Sequence, residues 1–173
     1  MKIKGDDDTK EVIQLNKDKI LNILLAEDDS ADAELTLSAI QGANLKNKVV
    51  RVSDGEETLD YLLRRKAWRS RPSGDPAVVL LDLKMPKIGG IEVLQAIRSN
   101  RKLQSIPVVV FTSSGERRDI AVCYQNGANA YVIKPVGFPD FQTTVQSIGR
   151  FWSEINVPPP LISRRLERRS WQS

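Results

Sequence analysis

Residues 78–86 read Val78-Val79-Leu80-Leu81-Asp82-Leu83-Lys84-Met85-Pro86. The apolar run has strand length, carries β-branched residues and shows no alternation. Such a run suits a strand buried on both faces. The aspartate that follows needs a reason. An ionised carboxylate inside an apolar strand costs several kcal/mol unless it is paired or sits at the strand end. Asp82 is therefore read as the end of the most buried strand, and as a functional group.

The same arrangement recurs along the chain. Ile20-Leu21-Asn22-Ile23-Leu24-Leu25-Ala26 is an apolar run that ends in Glu27-Asp28-Asp29. Val49–Val52 is a second short strand, followed by the turn Ser53-Asp54-Gly55. Ile106–Phe111 is the fourth, ending in Thr112-Ser113, and Tyr131-Val132-Ile133 the fifth, ending in Lys134-Pro135. Helical spacing follows each strand. The markers are Ala33, Leu37 and Ile40; Leu59, Leu62 and Leu63; Ile91, Leu94 and Ile97; Ile120, Cys123, Tyr124 and Gly127; and Phe141, Val145, Ile148 and Trp152. Asp29 or Ser30 is the expected N-cap of the first helix. Five βα units predict an α/β fold, an open doubly wound parallel sheet with helices on both faces, and are too few for an eight-unit barrel.

Residues 1–19 are polar and are expected to form an N-terminal arm. Residues 66–77 are basic and hold two prolines, which predicts a loop. Residues 154–173 are expected to be a tail, first Pro158-Pro159-Pro160 and then basic with Arg164, Arg165, Arg168 and Arg169.

Composition removes whole classes of function. The chain has 173 residues, no histidine and one cysteine. An internal Ser-His-Asp or Cys-His site, a His-ligated zinc and an intrachain disulfide are all excluded. One cysteine suits a reducing cytoplasm. The first residues lack the apolar stretch of a secretory leader, so none is expected, and no apolar run approaches the ~20 residues of a membrane span. The net charge is +4, but residues 20–63 carry nine acids against three bases. The basic excess is dispersed, so the charge does not by itself imply nucleic acid.

In an open α/β sheet, ligands bind beyond the carboxyl ends of the strands. Here those ends offer Glu27, Asp28 and Asp29, then Asp82, then Thr112 and Ser113, then Lys134. The first βα turn has no G-x-G-x-x-G and no GKS/T element, so dinucleotide and P-loop readings fail at the residues they need. Clustered carboxylates suit a hard cation, and Mg²⁺ is the usual one where phosphate is involved. Glu27, Asp28 and Asp82 with Lys134 leave a formal charge near −2, which one Mg²⁺ would cancel.

Taken together, Glu27-Asp28, the LLDLKMP stretch with Asp82, Thr112-Ser113 and Lys134-Pro135 make residues 20–153 resemble the receiver domain of two-component response regulators. The 66–77 loop and the ending SIGRFW further resemble the stand-alone receivers paired with bacterial phytochromes. The resemblance implies strand order 2-1-3-4-5 and a set of roles. Asp82 is the phosphoacceptor. Glu27, Asp28, Asp82 and the Lys84 backbone carbonyl hold Mg²⁺, with Glu27 acting through water. Lys134 pairs with a phosphoryl oxygen, Thr112 hydrogen-bonds it, and Tyr131 is the coupled aromatic switch. A cis Lys134-Pro135 bond is expected to aim the lysine. Glu27 departs from the aspartate common in the family, and Lys84 and Ser114 occupy positions that influence attack by water.

The implied function is a cytoplasmic phosphoacceptor switch. Its donor is a separate histidine kinase, because the chain has no histidine of its own, and the resemblance implies one of phytochrome type. Its output is a downstream protein contact or phosphotransfer, with monomer and homodimer both open. Three other readings compete. A degenerate receiver would be a phosphorylation-independent interaction module. A DNA-binding regulator would need a further domain, and some 20 residues after the last helix are too few, so no sequence-specific nucleic-acid binding is expected. A haloacid-dehalogenase-like phosphatase would need an acid two residues after its nucleophile, where this chain has Lys84. No enzymatic turnover is expected beyond weak self-dephosphorylation.

Overall fold

The structure is a computed structural model and describes residues 22–72 and 74–158. The expected arm at 1–19 and most of the expected tail at 154–173 lie outside the described residues.

Five parallel strands form one sheet in the order β2-β1-β3-β4-β5. They are β1 Ile23–Ala26, β2 Val49–Val52, β3 Val78–Leu81, β4 Val108–Thr112 and β5 Ala130–Ile133. The helices are α1 Ser30–Gly42, α2 Gly55–Leu63, α3 Gly90–Ser99, α4 Arg117–Gln125 and α5 Phe138–Arg150. A short 3₁₀ turn, Lys66–Trp68, lies in the basic loop, and a π turn, Phe151–Ile155, follows α5. This is the doubly wound α/β fold expected from the sequence, with the expected strand order.

The unbroken apolar strands are explained by the two cores. Successive strand residues point to opposite faces. Leu24, Ala26, Val79, Leu81, Val108 and Val110 pack with Tyr61, Leu62, Val93, Leu94, Ile97 and Cys123 from α2, α3 and α4. Ile23, Leu25, Val78, Leu80, Val109 and Phe111 pack with Ala33, Ala39, Ile40, Phe141 and Val145 from α1 and α5. Each of these strand residues is essentially without solvent contact. A fully buried side chain of this kind contributes about 1.5–3 kcal/mol, so the two faces together dominate the stabilisation.

Element ends differ from the sequence reading in instructive ways. β3 stops at Leu81, but the Asp82 amide still donates to Ala26 O at 3.1 Å. Asp82 is thus tied to the sheet while its side chain stands beyond it. β4 begins at Val108 rather than Ile106, because Pro107 has no N–H for the ladder. Gly127 lies past the end of α4 with φ +84, a left-handed turn residue and not a helix-face residue. Tyr124 is 52% exposed and does not join the α4 core face. Asp29, one of the two expected caps, is the N-cap of α1 and accepts from the Asp32 amide at 2.9 Å.

Two glycines set the approach of helices to the loop after Asp82. A Cβ on Gly90 would lie 2.2 Å from Asp82 O, and one on Gly55 would lie 2.0 Å from Ile88 O. Only glycine lets α3 start against the Asp82 carbonyl and α2 start against the 84–89 loop.

The basic 66–77 loop is folded against α2. The Arg71 guanidinium stacks over the Tyr61 ring at 4.2 Å and donates to the carbonyls of Tyr61, Leu62, Pro72 and Gly74. Lys66 and Arg65 pair with Asp60 at 2.9 and 3.1 Å. Much of the positive charge therefore stabilises the loop itself. At the start of α2, Asp54 accepts from the Glu57 amide and pairs with Lys87 at 2.7 Å. Burial pushes the Asp54 carboxyl up, but Lys87 and the helix amides outweigh it and hold the group below 3.8. A depressed carboxyl adds stability above its unfolded pKa and loses it as pH falls. Asp54→Asn keeps the cap and removes the charge. Its deficit in melting temperature should be largest at neutral pH and should shrink below pH 3.8, as followed by circular dichroism.

Candidate functional site

The period-two rule predicts which side of the sheet each strand-end group takes. Glu27, Asp82 and Lys134 continue the positions that face α1 and α5. Thr112 and Tyr131 continue the positions that face α3 and α4. The contacts agree. Lys134 Nζ lies 2.6 Å from Glu27 Oε2 and 3.5 Å from Asp82 Oδ2. These residues come from strands far apart in sequence, and the order β1-β3-β4-β5 brings their ends together.

The lysine has one further partner that the sequence reading did not include. Asp32, in the first turn of α1, accepts from Lys134 Nζ at 2.7 Å. An acid there has an ordinary explanation in the helix dipole, which is why it did not stand out. The missed signal was geometric: the first turn of α1 overhangs the side of the sheet to which Glu27 and Asp82 point. With Asp32 counted, the formal charge is near −3, and one Mg²⁺ leaves it near −1 rather than zero.

Glu27 is 1% exposed, Asp82 8% and Lys134 9%. Burial raises the Glu27 carboxyl above 4.5, against the opposing pull of Lys134. Burial alone would lower the lysine. Its hydrogen bonds to Asp32 and Glu27, with the charge of Asp82, prevail and hold the ammonium well above the usual lysine range. Lys134 therefore stays charged. Asp82 Oδ1 is fixed by the Leu83 amide at 2.7 Å.

Glu27, Asp28 and Asp82 each offer a carboxylate oxygen, and these oxygens all lie within 4.8 Å of one another. An all-oxygen, anionic donor set of this spread suits Mg²⁺ or Mn²⁺. Asp28 is exposed and so open to an arriving ion. Arg51 on β2 donates to the carbonyls of Glu27 and Asp28 at 3.3 and 3.2 Å, fixing the loop that presents them. Lys84 is exposed in the loop after Asp82.

On the other side of the site, Thr112 is fully buried at the end of β4. The Tyr131 hydroxyl donates to Ser114 O at 2.9 Å, and Ser114 Oγ donates to Asp119 Oδ2 at 2.6 Å. Tyr131 also packs, partly buried, against the α3–α4 core. Asp119 was not foreseen; it ties the segment after Thr112 to the start of α4. One expectation is corrected. All described peptide bonds are trans, including Lys134-Pro135. An X-Pro bond favours trans by only ~0.5–1 kcal/mol, and the lysine already reaches the acids from the trans strand end.

Residues 23–146 match the response regulator receiver domain family. The chain belongs to the response regulator receiver family. Among curated relatives of this receiver, it is 40% identical to the probable methanogenesis regulatory protein FilR2 of Methanothrix harundinacea, over 79% of this chain and 86% of that one. It is 34% identical to the response regulator Rcp1 of Synechocystis, over 79% and 92%. The crystal structure of Mn²⁺-bound Rcp1 superposes with a TM-score of 0.75, covering 80% of this chain and 99% of that one. The bacteriophytochrome response regulator RtBRR is 51% identical, with a TM-score of 0.67 over 82% and 86%. Among the described residues, no helix of the receiver is long and apolar enough to cross a membrane.

The buried lysine makes a direct test of the electrostatics. Lys134→Met strands Glu27 as a buried, unpaired carboxylate, at a cost of about 3 kcal/mol at pH 7. The unpaired Glu27 should take up a proton more readily in the folded chain than in the unfolded one. The deficit should therefore shrink as pH falls toward 4.5, and added Mg²⁺ should raise the melting temperature more in the variant than in the wild type.

Proposed function

We propose that the chain is a phosphoacceptor switch in which Asp82 takes a phosphoryl group from a histidine kinase. The observation that carries this reading is the buried Lys134 ammonium, 3.5 Å from Asp82, beside three carboxylates whose oxygens share a cation's reach. A buried lysine paired with acids could be purely structural. Such a pair does not require a third, exposed acid at Asp28 or a small glycine at Gly90 against the acceptor's own carbonyl.

Each residue then has a chemical task. An Asp82 carboxylate oxygen attacks phosphorus. A P–O bond forms as the P–N bond to the donor imidazole breaks, and the nitrogen keeps the electron pair and takes a proton from water. Glu27, Asp28, Asp82 and the Lys84 carbonyl would hold Mg²⁺. When bound, that ion offsets the negative charge of the carboxylates and the incoming phosphoryl oxygens. Lys134 donates to a phosphoryl oxygen as a point charge. Thr112 supplies a hydroxyl from β4, and Tyr131 reports its movement through the Ser114 carbonyl.

Similarity to RtBRR supports a phytochrome-type kinase as donor, and similarity to Mn²⁺-bound Rcp1 supports divalent metal binding. The output is a protein contact or phosphotransfer in the cytoplasm, without sequence-specific DNA binding and without catalytic turnover of free phosphate esters. The switch shifts states only to the extent that the phosphoryl group contacts Thr112 and Lys134 better in one state than the other.

Intact-mass analysis after incubation with Mg²⁺ and a small acyl phosphate tests the reading. One phosphoryl adduct is expected, dependent on metal, labile to hydroxylamine and absent from Asp82→Asn. An unmodified wild type would favour the phosphorylation-independent interaction module, and an adduct retained in Asp82→Asn would put the chemistry at another residue.

A further inference from the structure

Asp32 is the one acid around Lys134 that stands outside the cation cluster. Among the described residues, the carboxylates that share a metal's reach are Glu27, Asp28 and Asp82. Yet Asp32 Oδ2 is as close to Lys134 Nζ as Glu27 is, 2.7 against 2.6 Å, and both are closer than Asp82 at 3.5 Å. An ammonium has three hydrogens and no acceptor. Two short contacts go to Glu27 and Asp32, and the acceptor receives the long one.

The backbone fixes Asp32 in this position. Its amide donates to Asp29 Oδ1 at 2.9 Å, and its carbonyl accepts from Thr36 Oγ1 at 2.8 Å. Its side chain is 37% exposed, so the helix does not need the carboxylate for burial. The helix dipole alone does not account for a first-turn aspartate that reaches a buried lysine contributed by β5.

We propose that Asp32 is a positioning residue that holds Lys134 away from Asp82 in the unphosphorylated chain, resting on the phosphoacceptor reading above. The arrangement acts in two opposite directions. Its charge attracts the cation into the site and repels a phosphoryl donor. Its hydrogen bond also occupies a lysine proton that a phosphoryl oxygen on Asp82 would otherwise receive. Transfer to Asp82 must therefore draw the lysine partly away from Asp32.

Asp32→Asn keeps the shape and an acceptor oxygen but removes the charge. Lys134 then turns toward Glu27 and Asp82, where it competes with the metal. Calorimetric titration with Mg²⁺ should show Kd raised about five-fold or more. At saturating Mg²⁺, the rate of Asp82 phosphorylation by a small acyl phosphate should rise at least about two-fold, because the repulsion of Asp32 and its hold on a lysine proton are both removed. Asp32→Glu should return both values toward wild type. A merely structural role would leave both unchanged or lower both affinity and rate, and either result overturns the proposal. A wild type that accepts no phosphoryl group would instead refute the phosphoacceptor reading. In that case the Mg²⁺ titration still decides on Asp32, and an unchanged Kd counts against it.

Discussion

The Lys134 ammonium, buried at the end of β5, holds carboxylates from α1 and from just past the ends of β1 and β3. Two of those acids, Glu27 and Asp82, are themselves buried. Acids that close repel one another, and each loses water on folding. The cation makes the cluster tolerable, and the acids in turn keep the cation charged. This mutual dependence makes the site sensitive to added charge. The divalent ion and the phosphoryl group proposed above, opposite in sign, would enter a cluster whose balance a single lysine maintains.

The sheet supplies the precision. Parallel order places the ends of β1 and β4 on either side of β3, so Asp82 is flanked by the acidic turn and by Thr112. Strand parity then divides the site. The charged groups lie toward α1 and α5, and Thr112 and Tyr131 lie toward α3 and α4. In the proposed switch, a signal that begins as charge on one side would reach packing on the other through the end of β4, where Tyr131, Ser114 and Asp119 are hydrogen-bonded in series up to the start of α4.

Much of this was legible in the sequence because burial leaves a strong pattern. Strands covered on both faces are continuously apolar, which located β3 and, by analogy, the others. Strand-end residues stood out because a carboxylate such as Asp82 is costly beside so apolar a strand, and Lys134 occurs together with it and the Glu27-Asp28 pair. Asp32, Asp119 and Arg51 were not legible in this way. Each lies in a helix or at a half-buried strand position where charge is ordinary, and its role depends on a partner in another segment. The proline bond was misjudged for a related reason. The two isomers are close in energy, so local sequence cannot decide between them. Family membership agrees with the pattern. Residues 23–146 carry the receiver match, and these include every group placed at the site.

The strand ends converge on one cluster of carboxylates around Lys134, which the proposed function makes a single cation site. The most direct measurement is a Mg²⁺ titration of the full chain followed by backbone amide NMR. The largest shifts should fall at Glu27, Asp28, Asp82 and Lys84, with smaller ones at Thr112 and Lys134, and should saturate with a single affinity. Shifts centred instead on another acidic segment such as Asp6-Asp7-Asp8, or spread without saturation, would mean that the strand ends do not form a cation site.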